Sequence, residues 1–168
     1  MYDRRIEMET CAKKNQSPYN NPYYIMSVNS RYNYLKRSIE KNYFNTDYFG
    51  WVDFGLSHIV AMENNRGIHK LGYNNPYKIR IAWKSRIKKS TKKIVFDHAA
   101  MCGGVYMGHK YTMLKLINLH DYEFKQMMKF GHCINDDKLL YFIYQKYPEL
   151  FDMFHSGYMY ALAKMSNV

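Results

Sequence analysis

The stretch Tyr48-Phe49-Gly50-Trp51-Val52-Asp53-Phe54 is apolar and aromatic, has no helical repeat, and runs into Gly55. Such a run reads as a buried strand that ends at Asp53 and Gly55. Just before it, Asn45-Thr46-Asp47 is a turn, and further upstream Tyr34, Leu35, Ile39 and Tyr43 recur at helical spacing. That spacing predicts a helix over 31–41 with one face free to pack on a sheet. Tyr24–Ser27 reads as a short strand, and Ser17-Pro18-Tyr19-Asn20-Asn21-Pro22 as a loop.

Downstream, Asn64-Asn65-Arg66-Gly67 is a turn. Ile79, Ile81 and Trp83 alternate with polar or small neighbours, which predicts a second strand over 78–83. Lys84–Lys93 is a basic loop, and Gly103-Gly104 leads into a third strand over Val105–Met107. Thr112–Leu119 has helical character. The clearest helix covers Asn135–Tyr147: Asn135 suits an N-cap, Asp136 and Asp137 fill the first turn, and Leu139, Leu140, Ile143 and Tyr144 form an apolar stripe that Pro148 ends. Strands alternating with helices predict an α/β protein with a central mixed sheet flanked by helices. The three strands belong to one sheet, with helices 31–41 and 135–147 on it. Residues 1–22 form a polar N-terminal segment and 23–168 one domain.

The 168 residues suffice for one continuous core, and 47% apolar content fits a globular chain rather than a disordered one. Eighteen tyrosines suit clefts that bind sugars or nucleobases, and equally reflect a bias toward Asn, Lys, Tyr and Ile. A net charge of +11 favours anionic partners: nucleic acid, a nucleotide diphosphate or a membrane face. Cys11, Cys102 and Cys133 are odd in number and lack metal-ligand spacing, so they read as reduced thiols. His58, His98, His109, His120 and His132 show no zinc spacing with them either. No stretch approaches the roughly 20 apolar residues of a membrane span, and the N-terminus lacks a signal-peptide core, which together predict a cytoplasmic protein.

The segment from Asn29 to His58, with Trp51-Val52-Asp53-Phe54-Gly55 at its strand end, the later Gly103–Gly108 segment, and the acidic helix start at Asp136 running to Phe151, resembles the HtrL/YibB-like proteins in order and spacing over residues 20–160. The resemblance implies a glycosyltransferase-type chain with a partial nucleotide-sugar transferase (GT-A-like) fold. Such proteins begin with a strand that helps hold the nucleotide. Here a polar segment stands in its place, which reads as an N-terminally truncated relative.

Under that resemblance Asp53 binds a divalent metal, Mn²⁺ or Mg²⁺, that neutralises the leaving diphosphate. The usual motif has two aspartates flanking one residue, and Asp53-Phe54-Gly55 lacks the second. His155 is a late histidine of the kind that adds a metal ligand. Gly103 and Gly104 let the backbone approach a donor or acceptor sugar, Trp51 walls the site, and Arg31 pairs with diphosphate oxygens. Asp136 or Asp137 deprotonates the acceptor hydroxyl, with Asp137 favoured. The function so implied is transfer of a sugar from a nucleotide-sugar donor to a carbohydrate or protein acceptor. The alternatives are a nucleic-acid-binding module built on the Lys84–Lys93 loop and the tyrosines, or an inactive relative kept as a scaffold.

Overall fold

A computed structural model of the chain describes residues 22–53, 73–83, 101–132 and 134–156. The element order is α1 (Pro22–Lys41), β1 (Tyr48–Val52), β2 (Ile79–Trp83), β3 (Met101–His109), α2 (Lys110–Lys129), α3 (Asp136–Lys146), a 3-10 turn (Pro148–Leu150) and β4 (Phe151–His155). The sheet has the order β1-β3-β2-β4. β3 is antiparallel to both β1 and β2, and β4 runs parallel to β2, so the sheet is mixed. The three strands expected from the sequence do share one sheet.

One core joins the three helices to a single face of the sheet. It contains Tyr32, Leu35 and Ile39 from α1, Met113, Leu116 and Ile117 from α2, Leu139, Leu140 and Ile143 from α3, and Ile79, Ile81, Met101 and Tyr106 from the strands. Strand residues alternate between faces, so Ala82, Cys102, Val105 and Met107 form a separate cluster with Tyr73 on the opposite face. There Arg80 Nη1 donates to Asp152 Oδ2 at 2.9 Å, across the register that pairs Arg80 with Asp152. Cys102 is buried and forms no disulfide.

Several elements differ from the sequence reading. Tyr24–Ser27 is not a strand but the start of α1. Pro22 opens the helix with the fixed φ that suits a first helical position. Ile25, Val28, Tyr32, Leu35 and Ile39 then make the buried stripe, while Tyr34 and Tyr43 are exposed. Tyr and Ile favour strands as readily as helices, and here the periodicity outweighs the propensity. β1 is half-exposed rather than buried, because it is the edge of the sheet. Gly103 and Gly104 lie inside β3, not before it. α2 is longer than expected at both ends, and β4 has no counterpart in the sequence reading. The expected loops at 17–22 and 84–93, the turn at 64–67, and Gly55, Cys11, Cys133, His58 and His98 lie outside the described residues, apart from the backbone of Pro22.

Candidate functional site

β1, β2 and β4 end, and β3 begins, at the same end of the sheet. The site lies there. β3 is irregular at this point: two steps along β2, from Ile81 to Trp83, match five along β3, from Tyr106 to Met101. The surplus falls at Cys102–Val105 and makes a bulge. Bulges of this kind re-aim backbone groups beside functional sites. Asp53 leaves β1 with its N–H donating to Gly104 O at 2.8 Å.

Arg31 ties the site together. It lies on the inner face of α1, and its side chain is only 8% exposed. Nη1 donates to Gly103 O at 2.7 Å and pairs with Asp136 Oδ2 at 2.8 Å. Nη2 reaches Asp53 at 3.3 and 3.4 Å. One guanidinium therefore joins the end of β1, the bulge of β3 and the start of α3. The five donors of its planar fork suit this, and a lysine could not make the same set. Burial opposes its charge, but Asp136 and Asp53 more than offset that and hold the guanidinium charged. Trp51 donates its indole N–H to Asp53 Oδ1 at 2.6 Å, and the Arg31 guanidinium sits 5.4 Å from the Trp51 ring centre.

The two aspartates that open α3 have different surroundings. Asn135 caps the helix by accepting from Lys138 N, so both fall in its first turn, where acids complement the helix dipole. Asp136 is buried against Arg31. Its carboxyl is pushed up to about 7, first by burial and then by the neighbouring Asp137, with Arg31 opposing. Asp137 is half-buried, and its Oδ1 accepts from Gly103 N at 2.7 Å. Both carboxylates crowd Gly103. A Cβ there would lie 2.3 Å from Asp137 Oδ1 and 2.6 Å from Asp136 Oδ2, so any larger residue would have to displace both carboxylates. Asn29 fixes α1 against this segment by donating to Ile134 O.

The structure thus brings together Arg31, Trp51, Asp53, Gly103, Gly104, Asp136 and Asp137, drawn from four segments of the chain. His155 is not part of this group. It ends β4, the opposite edge strand, three strand spacings from β1 or roughly 14 Å. Its ring meets Trp83 edge-on. Among the described residues no three His, Cys, Asp or Glu side chains are grouped to hold a metal ion. Asp53 and Asp137 are the less buried carboxylates here, and both already have partners: Asp53 accepts from Trp51 and Arg31, and Asp137 Oδ1 from Gly103 N. They do not form a closed protein cage.

One residue escapes the sequence reading. Tyr24 precedes Arg31 by two helical turns on the same face of α1 and is 47% exposed. Burial, then the charges of Asp136 and Asp137, push its hydroxyl upward. The seven-residue spacing to Arg31 was the available signal, and reading 24–27 as a strand conceals it. Behind Arg31, the rings of Tyr32 and His120 stack with centres 3.5 Å apart. Burial, and then Arg31, lower His120 to about 3 and keep it neutral.

Fold and site define the class: an α/β protein that concentrates buried charge at one end of a mixed sheet. The chain belongs to the family described as "Bacterial protein of unknown function (HtrL_YibB)", which matches residues 2–165. No curated protein and no solved structure matches it.

Proposed function

We propose that this chain is a glycosyltransferase of GT-A-like type, moving a sugar from a nucleotide-sugar donor to a hydroxyl of a carbohydrate or protein acceptor. The convergence of Arg31, Asp53, the Gly103 bulge and Asp137 at the strand ends carries the reading. Ligands of open α/β sheets bind at that end.

In this mechanism Asp137 is the base. It is the less buried of the two aspartates, and Gly103 N–H fixes one of its oxygens. It takes the proton of the acceptor hydroxyl as that oxygen bonds to the sugar's anomeric carbon. The bond from that carbon to the phosphate oxygen breaks, and the nucleoside diphosphate leaves with the electron pair. Arg31 is a positioning residue, because both its Nη atoms are committed to Asp53, Asp136 and Gly103 O. Asp53 is the residue that would hold a divalent cation brought in by the diphosphate. Such a cation, when bound, neutralises the leaving charge. Trp51 and Tyr24 supply aromatic surface for a sugar or base.

Donor binding tests this reading. A Trp83→Phe variant leaves Trp51 as the sole indole, so its emission reports the site. Titration with nucleotide sugars and Mn²⁺ is expected to change that emission. Asp53→Asn is expected to weaken the response and Asp137→Asn to leave it intact. No response to any nucleotide sugar counts against the proposal.

A further inference from the structure

The end of the sheet opposite the site presents four large aromatics to solvent: Tyr43 is 83% exposed, Phe44 92%, Tyr77 81% and Tyr111 69%. They sit on three neighbouring segments, the α1–β1 turn, the turn before β2, and the start of α2. The α1–β1 turn is rigidly built. Asn42 and Asn45 adopt positive φ of 41° and 48°. Asn42 Nδ2 donates to Thr46 O and Thr46 N donates to Asn42 Oδ1, at 3.0 and 2.9 Å. Tyr43 and Phe44 therefore stand at the tip of a turn locked from both sides.

The start of α2 clamps the other two segments to it. Lys110 N donates to Asp47 O at 2.7 Å and its Nζ pairs with Asp47 Oδ1 at 2.8 Å. Thr112 Oγ1 donates to Pro76 O. The turn before β2 is closed by Tyr77 N donating to Asn75 Oδ1 at 2.9 Å. None of these bonds uses an aromatic side chain, so polar residues at 43, 44 and 77 would preserve every turn. The aromatics are kept in water at a loss of roughly 1.5–3 kcal/mol of potential burial each. Arg37, Lys41 and Lys78 are exposed on the adjoining stretches of chain, while the acids Glu40 and Asp47 there are paired with Lys36 and Lys110.

We propose that this end of the protein docks on an anionic lipid bilayer, with Tyr43 and Phe44 entering the headgroup layer and the basic residues facing anionic lipid. Projecting aromatic tips without a groove suit an interface that fills in around them, and amphipathic aromatic rings partition to that depth. Each basic residue near such a surface adds about 1 kcal/mol, and the chain's net charge of +11 favours approach. Among the described residues no helix is long and apolar enough to cross a membrane, and this contact requires none. The proposal does not depend on the glycosyltransferase reading. It sets the site at the end of the sheet away from the membrane, since β1 and β2 begin at the aromatic end and stop at the site.

Sedimentation of the full chain with vesicles tests it. The wild type is expected to sediment with vesicles of equimolar phosphatidylglycerol and phosphatidylcholine, and only weakly with phosphatidylcholine alone. The Tyr43→Ser/Phe44→Ser double variant is expected to lose roughly tenfold or more in apparent affinity while melting at the wild-type temperature. Phe130→Ser, at the far end of α2 and 76% exposed, is expected to bind as the wild type does. The proposal is overturned if the wild type stays in the supernatant, if the double variant binds equally well, or if Phe130→Ser loses as much. It is also overturned if Tyr43 and Phe44 govern binding to a single-stranded oligonucleotide and not to vesicles.

Discussion

The two ends of the sheet treat polarity in opposite ways. At the end where β1 stops, charge is taken inside: Arg31 and Asp136 are nearly fully buried, and Trp51 donates to a carboxylate. At the other end the charges stay in water, and the aromatics stand out with them. Neither arrangement is what folding alone would select. A buried ion pair gives little net stability over an apolar pair, and an exposed Phe gives none. The first arrangement suits chemistry that needs fixed charges in a dry setting, and the second suits a contact made with something outside the protein.

Stability separates the two ends most sharply. Arg31→Met leaves the buried Asp136 without its counter-charge, so urea unfolding at alkaline pH, above the value near 7 at which Asp136 loses its proton, is expected to show a loss of roughly 3–5 kcal/mol. The loss is expected to shrink in acid, where Asp136 takes up a proton. Tyr43→Ser/Phe44→Ser, measured in the same way, is expected to stay within about 0.5 kcal/mol of the wild type. Equal losses at the two ends would break the comparison.

A smaller effect sharpens it. Asp136 holds its proton up to about 7 in the folded protein, above its ordinary 3.8. Its contribution to stability is therefore complete below about 3.8 and is lost as the pH rises through about 7. His120 is lowered to about 3 from 6.5, so its contribution is present above about 6.5 and is lost as the pH falls toward 3. The two slopes oppose each other between pH 4 and 6.5. Relative to the wild type, the melting temperature of Asp136→Asn is expected to climb with pH across this window. That of His120→Phe is expected to fall. Parallel curves for all three proteins would contradict this assignment of buried charge.

Much of the site was legible because its residues carry strong local signals. Asp53 follows an aromatic strand, the Gly103-Gly104 pair has few uses within one, and Asn135-Asp136-Asp137 is a helix start. What the sequence hid is how these segments meet. Nothing local says that Arg31 points inward rather than into solvent, because that depends on a helix register fixed by Ile25, Val28 and Tyr32. Nor does it say which aspartate is buried, since adjacent residues on a helix differ by about 100° in direction. β4 escapes the sequence reading because Phe151–His155 is short and alternates only over its first three residues, and it owes its place to pairing with β2. Likewise β1 reads as buried from composition, and only the strand order makes it an edge. Only the family resemblance groups His155 with Asp53, and strand order again separates them.

We propose that Asp137 works as the base of a sugar transfer at the charged end of the sheet. The most direct test is release of nucleoside diphosphate from a panel of nucleotide sugars, with Mn²⁺ and glycan or protein acceptors, by the wild type and by Asp137→Asn. The account predicts acceptor-dependent release by the wild type and a rate lower by roughly a hundredfold or more in the variant, with donor binding intact. Absence of acceptor-dependent release from every donor, or equal rates in the two proteins, would contradict it.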